Sequence, residues 1–181
     1  MEEVVRVESV TKAYGSLLAV DHVSLSVKRG TAIGLLGANG AGKSTTIECI
    51  LGTKRADGGA VSILSLDPRK DRRRLFQQVG VQFQECDYQA EIKVSELCEE
   101  TACLYMAPAD WKGLCEQFGI GDKTQSSVKS LSGGERQRLF IVLALIPNPQ
   151  VVFLDELTTG LDARARRDVW KILKELKEGG L

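Results

Sequence analysis

The sequence predicts an α/β fold, with a parallel-sheet core fronted by an antiparallel β layer and interrupted by an all-helical insertion. Three observations carry that prediction. A continuous apolar run, Ala32 to Leu36, opens onto the glycine-rich stretch Gly37-Ala38-Asn39-Gly40-Ala41-Gly42-Lys43-Ser44 and then a helix-like segment, Thr45 to Leu51. A second apolar run, Val151-Val152-Phe153-Leu154, ends in two acids, Asp155-Glu156. Between them, residues 94–118 and 132–146 carry apolar side chains at helical spacing. Apolar runs without alternation mark strands buried on both faces of a parallel sheet, whereas recurrence every three to four residues marks helices.

The elements follow in chain order. Val4 to Val10 and Leu18 to Val27 alternate apolar and polar residues, with Tyr14-Gly15-Ser16 turning between them, so they read as an antiparallel front layer. Lys28-Arg29-Gly30 ends that layer, and Ala32 to Leu36 reads as the buried strand that delivers the glycine-rich loop. Gly52 to Gly59 is turn-rich and precedes a short strand, Ala60 to Leu64. Arg72 to Gln78 reads as a basic amphipathic helix leading into a strand from Val79 to Phe83, with Gln84 at its end. Val94 to Met106, with Ser95 as a candidate N-cap, and Asp110 to Phe118 read as helices, while Gly119 to Ser130 is polar and loop-like. Ser132 to Leu145 reads as a further helix with Leu139, Val142, Leu143 and Ile146 on one side, stopped by Pro147-Asn148-Pro149. A final helix spans Ala163 to Lys177.

Residues 37–44 match G-x-x-x-x-G-K-[ST], the P-loop, so the core is expected to be that of a P-loop NTPase. Glycines let the backbone turn tightly enough for successive N–H groups to face phosphate oxygens, and the helix that follows adds its positive end. On this reading Gly37, Asn39, Gly40, Ala41, Gly42 and Thr45 belong to the phosphate cradle, Lys43 reaches the outer phosphates, and the Ser44 hydroxyl binds Mg²⁺. The strand 151–154 lifts Asp155 and Glu156 to the C-terminal edge of the sheet, where sites of this fold class lie. Asp155 is the second candidate Mg²⁺ ligand, and Glu156 is placed to orient and deprotonate an attacking water.

Composition sets the outer limits. With 181 residues, 43% hydrophobic and 27% charged, the chain can bury a core of its own. Lys+Arg and Asp+Glu balance at 24 each, so no net field draws the protein to nucleic acid, and no nucleic-acid partner is expected. Five cysteines without a C-x-x-C pair argue against both a disulfide framework and a zinc site, and read as cytosolic thiols. No run approaches the ~20 apolar residues of a membrane span, so a membrane, if involved, is expected to come from another chain.

Leu131-Ser132-Gly133-Gly134-Glu135-Arg136-Gln137-Arg138 resembles the signature motif of the ATP-binding cassette (ABC) ATPases, and the resemblance extends from about Val4 to the last residue. It implies one nucleotide-binding domain over residues 1–181: an antiparallel layer (1–30), a P-loop core (31–84 and 147–181) and a helical subdomain (85–146). It also implies that ATP and Mg²⁺ are bound and that Ser132, Gly133 and Gly134 close over the γ-phosphate of a partner copy in a homo- or heterodimer. By the same resemblance Tyr14 stacks on adenine, and Gln84 senses Mg²⁺ and the attacking water and relays to the membrane partner. Thr159-Gly160-Leu161-Asp162 resembles the loop that contacts the opposite subunit.

The implied function is ATP binding and hydrolysis coupled to translocation by a separate transmembrane permease, at the inner face of the cell membrane. Residues 61–105 most resemble bacterial exporters of the multidrug and ABC-2 type. The alternative is a soluble ABC ATPase that acts on ribosomes or DNA. Two departures are local: Ala38 and Leu157 stand where the family usually has proline. A third is larger, since the strand that ends in the family's switch histidine has no counterpart before Leu181. The expectation is therefore a domain lacking its last core strands, one that binds ATP but hydrolyses it poorly. His22, the only histidine, is expected to be structural.

Overall fold

The computed structural model describes residues 2–82 and 91–155, together with residues 166, 167, 170, 171 and 174. The chain divides into two compact units, Met1–Phe76 and Gln77–Leu181, each described by itself.

In the first unit, β1 (Glu3–Tyr14) and β2 (Leu17–Lys28) form a hairpin, and β3 (Gly58–Ile63) pairs antiparallel with the other edge of β1, giving the order β2-β1-β3. Val5 and Val7 enter the core by alternation, while Val4 and Val10 are buried out of that phase, Val10 beyond a register shift that follows Val7. Both long strands are bulged. Ser9 and His22 have positive φ (47° and 44°), the β1–β2 register shifts between Val7 and Val10, and the Ser9 N–H donates to Ser24 Oγ at 2.8 Å. Gly59 (φ 87°) passes so close to the carbonyls of Glu8 and Ser9 that only glycine fits opposite this bulge. α1 (Lys43–Ile50) buries Thr46, Ile47, Cys49 and Ile50 against this layer, and Leu51 closes its end. At about 1.5–3 kcal/mol for each fully buried large aliphatic side chain, Ile47 and Ile50 are enough to hold a helix too short to stand alone.

The expected strand at 32–36 is not formed. Those residues join neither sheet and are exposed, Ile33 at 50% and Leu36 at 95%. An apolar run becomes a sheet strand only where neighbours take up its N–H and C=O groups and cover its side chains. No ladder among the described residues reaches this one. The basic helix is likewise shorter than expected: α2 is Arg72–Leu75, with Phe76 as its C-cap.

In the second unit, β4 (Val79–Gln82) and β5 (Val151–Leu154) pair parallel, Gly80 opposite Val152 and Gln82 opposite Leu154. α3 (Val94–Cys103), α4 (Trp111–Gln117) and α5 (Gly133–Leu145) enclose a core that includes Leu97, Cys98, Cys115, Phe118, Ile120, Leu139 and Ile146. Ser95 is not the N-cap of α3; it lies in the first turn, and Lys93 takes the cap position with its N–H held by Glu96 Oε2 at 2.9 Å. α3 also stops before Met106, because the Gln77 amide donates to Leu104 O (3.0 Å) and accepts from Met106 N–H (2.9 Å), drawing that backbone out of the helix. The expected loop 119–130 contains two short 3₁₀ turns, Gly121–Lys123 and Val128–Ser130. α5 lies directly on β4: a Cβ at Gly80 would overlap the Ala144 carbonyl. Of the expected final helix, residues 166, 167, 170, 171 and 174 are described; they are helical and exposed.

Candidate functional site

The glycine-rich loop ends in a helix start with nothing of its own to cap it. Gly42 is the N-cap of α1, in the left-handed region (φ 82°), with no side-chain cap bond and no acid in the first turn. A Cβ at Gly42 would overlap Ala19 O, so no other residue fits. Gly40 (φ 80°) makes the preceding bend, and Ala41 N–H closes a turn onto Ala38 O at 3.2 Å. The first intrahelical bond is Thr46 N–H to Gly42 O at 2.8 Å, reinforced by the Thr46 hydroxyl on the same carbonyl. The N–H groups of Lys43, Ser44 and Thr45 are the orphan donors of a helix start and, with the helix dipole, form an anion site. The Lys43 ammonium bridges the loop, donating to Gly37 O and Ala38 O at 2.9 Å each. Those two carbonyls hold the cation over the loop mouth and are weaker acceptors than phosphate oxygens.

Tyr14 sits at the end of β1, 44% exposed, with Lys12 Nζ 5.5 Å and Lys54 Nζ 5.8 Å from its ring centroid. Asp57 anchors Lys12 at 3.0 Å and accepts the Ala13 N–H at 2.8 Å; that backbone bond first, then Lys12, holds its carboxyl below the usual range. The two lysines were not singled out in the sequence. Their signal there is faint, since two cations 42 positions apart meet only through the pairing of β1 with β3.

Ser132, Gly133 and Gly134 open α5 as a different kind of helix start. Ser132 Oγ accepts Glu135 N–H (3.3 Å), and Glu135 Oε2 accepts Ser132 N–H (2.8 Å), a reciprocal capping box. The Ser132 side-chain and backbone bonds, followed by Lys123, hold the Glu135 carboxyl below its ordinary value. The S-x-x-E spacing announces this box in the sequence.

Asp155 follows β5, 7% exposed, with its N–H donated to Gln82 O at 3.1 Å. No cation among the described residues is paired with its buried carboxylate, which suits a metal ligand. Among the described residues no three acidic, thiol or imidazole groups converge as a ready-made metal cluster. Mg²⁺ on nucleotide phosphates does not require one, because it takes one or two protein ligands and completes its shell with phosphate and water. The uncapped donors and the lysine on weak acceptors fit the phosphates of a nucleotide, and the buried Asp155 carboxylate, taken by itself, fits a Mg²⁺ ligand.

Glu156, Gln84 and the 159–162 loop lie outside the described residues. His22 is exposed on β2 and bonded to its neighbour Asp21 at 2.7 Å, a surface position in a bulge. Cys49, Cys98, Cys103 and Cys115 are free thiols. No helix among the described residues is long and apolar enough to cross a membrane.

Comparison with known proteins gives concordant results. The family description "ABC transporter" matches residues 20–159. The chain is 36% identical over 182 residues to the Nod factor export ATP-binding protein I of Ralstonia nicotianae, covering 98% of this chain and 57% of that protein. It is 36% identical to the daunorubicin resistance ATP-binding protein DrrA2 of Streptomyces coeruleorubidus (97% of this chain, 56% of that protein). It is 34% identical to the methionine import ATP-binding protein MetN of Rhizobium johnstonii (97% and 51%). The chain thus spans about half the length of the curated relatives it matches. Among solved structures, an ATP binding subunit of an ABC transporter superposes with a TM-score of 0.86 at 26% identity, covering 98% of this chain and 76% of that one. A nucleotide-free ATP-binding cassette gives 0.85 at 26% identity, covering 99% and 79%.

Proposed function

The chain belongs to the ABC transporter family, and from that premise we propose that it is the ATP-binding and ATP-hydrolysing part of a transporter, coupled to export by a separate transmembrane permease at the inner face of the cell membrane. The observation that carries this reading is the uncapped start of α1, with Lys43 Nζ resting on two carbonyls of its own loop. Export is favoured because the relatives named for Nod factor export and daunorubicin resistance match over nearly the whole chain. The methionine import protein matches almost as well, at 34% identity over 97% of this chain.

The chain's residues divide the work as follows. The N–H groups of residues 43–45 and the Lys43 ammonium hold the phosphates, Lys43 exchanging its two carbonyl acceptors for phosphate oxygens. Ser44 and Asp155 would hold Mg²⁺, which when bound neutralises charge on the outer phosphates during in-line displacement by water. Glu156 accepts the proton of the attacking water, and Gln84 positions that water. Tyr14 offers its exposed ring to the base. Ser132, Gly133 and Gly134 face the γ-phosphate held by a second copy, homo- or heteromeric, so closure needs two chains.

The test is the association state of a Glu156→Gln variant, measured by analytical ultracentrifugation with and without Mg·ATP. A dimer that forms only with ATP, and is lost on adding Ser132→Arg, is expected. ATP held tightly by a species that stays monomeric at saturating Mg²⁺ and high protein concentration would refute the closing motor.

A further inference from the structure

Tyr14 has two cations at its ring, and each is itself pinned by a carboxylate. Lys12 Nζ lies 5.5 Å and Lys54 Nζ 5.8 Å from the ring centroid, within reach of a cation–π contact. Lys12 is held by Asp57 at 3.0 Å and Lys54 by Glu48 at 2.8 Å. Lys12 is two residues before Tyr14 on β1, so its place at the ring is set by that strand. Lys54 comes from a different element.

The local chain explains how Lys54 gets there. α1 ends at Ile50, and Gly52, at φ 67°, turns the backbone so that its N–H closes onto Cys49 O at 3.2 Å. The chain then folds back on α1: Lys54 N–H and the Thr53 hydroxyl both donate to Glu48 O at 3.1 Å. That return places the Lys54 ammonium between the Glu48 carboxylate and Tyr14. Its bond to Glu48 first, and that to the Tyr14 side chain after it, hold the ammonium above its ordinary pKa against a loss from desolvation.

Tyr14 is thereby joined to α1 at two points of the helix. Near its start, Lys12 pairs with Val20 and Ala13 with Leu18, so Ala19 bulges opposite them, and Ala19 O is the atom that a Cβ at Gly42 would strike. Further along, Glu48 lies five residues after Lys43, about 7.5 Å on, and carries the link through Lys54 to the ring.

We infer that Lys54 is a positioning residue for base recognition, tying the Tyr14 ring to α1 through Glu48 and so setting where a base stacks relative to the phosphate loop. This role rests on the reading of Tyr14 as the surface that takes the base. An ion pair with side chains 43% and 27% exposed adds little to stability, so its effect falls on the orientation of the ring, to which stacking is sensitive.

Calorimetric titration with Mg·ATP and with magnesium tripolyphosphate, which has the phosphates but no base, tests the tether. Lys54→Met should weaken ATP roughly three- to tenfold, a part of what a stacked base is worth, and leave tripolyphosphate within about twofold. Lys54→Arg should restore ATP to near the parent's affinity, and in a Tyr14→Leu background Lys54→Met should add nothing further. Glu48→Gln separates positioning from plain charge: removing an anion beside an anion site tightens both ligands if charge alone acts, whereas loss of the anchor should weaken ATP and spare tripolyphosphate. The tether is overturned, with Tyr14 still standing as the base platform, by any of four results: equal losses for both ligands in Lys54→Met, no loss at all, a loss that persists without the ring, or a Glu48→Gln chain that binds both ligands more tightly. A Tyr14→Leu chain that prefers ATP over tripolyphosphate as strongly as the parent would refute the platform reading itself, and the tether with it.

Discussion

α1 and α5 both begin after glycine-rich stretches, yet their N-termini are built in opposite ways. At α1 the cap is Gly42, which has no side chain to offer, and the helix starts without an acid in its first turn. At α5 the cap is Ser132, whose hydroxyl and Glu135 partner already satisfy two of the backbone donors. The first is open to an anion of several charges, whereas the second is partly closed by its own carboxylate and presents mainly a serine hydroxyl and glycine N–H groups. A pair of glycines before a helix therefore says little about anion affinity until the cap residue is known.

The contrast can be broken most sharply at the cap of α1. Gly42→Ala forces a Cβ onto Ala19 O and holds alanine at φ 82°, so ATP binding should be lost in calorimetric titration. Stability should fall by about 2 kcal/mol or more in urea unfolding. Gly15→Ala, also at positive φ but with open space around it, should cost only about 1 kcal/mol and leave ATP affinity intact. Next in size, Lys43→Ala removes charge-assisted bonds to phosphate. It should weaken ATP roughly 10- to 100-fold by titration, with a change in stability below about 1 kcal/mol.

At α5 the same kind of change should act on the fold rather than on ATP affinity. Ser132→Ala opens the capping box and should cost about 1 kcal/mol in urea unfolding, with monomer affinity for ATP unchanged. The smallest effect is pH-dependent. Because the folded state holds the Glu135 carboxyl below its ordinary value, the unfolded chain binds its proton first as pH falls. The stabilisation by Glu135 is thus complete above the ordinary glutamate pKa and is lost as pH drops below it. Parent and Glu135→Gln should differ in urea midpoint at neutral pH and converge in acid. A constant gap across that range would mean the carboxylate contributes shape rather than charge.

Much of this arrangement was legible in the residues. The alternation of Val5 and Val7 marked the front layer, and the run Val151 to Leu154 marked a parallel strand leading to Asp155. Leu139, Val142, Leu143 and Ile146 are buried as expected, but Ile141, Ala144 and Leu145 are buried as well, so the end of α5 is enclosed on more than the one expected side. The strand expected at 32–36 failed because strand formation depends on neighbours, which a local apolar run cannot supply. The end of α3 was misjudged for a related reason. Leu104 and Met106 are claimed by the Gln77 amide, a bond between positions 27 and 29 residues apart. The buried amide of Gln82 escaped notice because a glutamine near a strand end reads as solvated until something is seen to cover it.

Residue order alone determined which chemistry the chain carries: the lysine, the hydroxyl and the glycines of the loop at 37–44, the acid after β5, and the serine before α5. These are short-range patterns whose backbone consequences are felt within one or two turns. Tertiary packing decided what those groups face: Gly42 against Ala19, two lysines beside Tyr14, Gly80 under α5, and Gln82 shut away from water. The physical reason is that burial and pairing are properties of the partners across a gap, which the chain specifies only when it has folded back on itself.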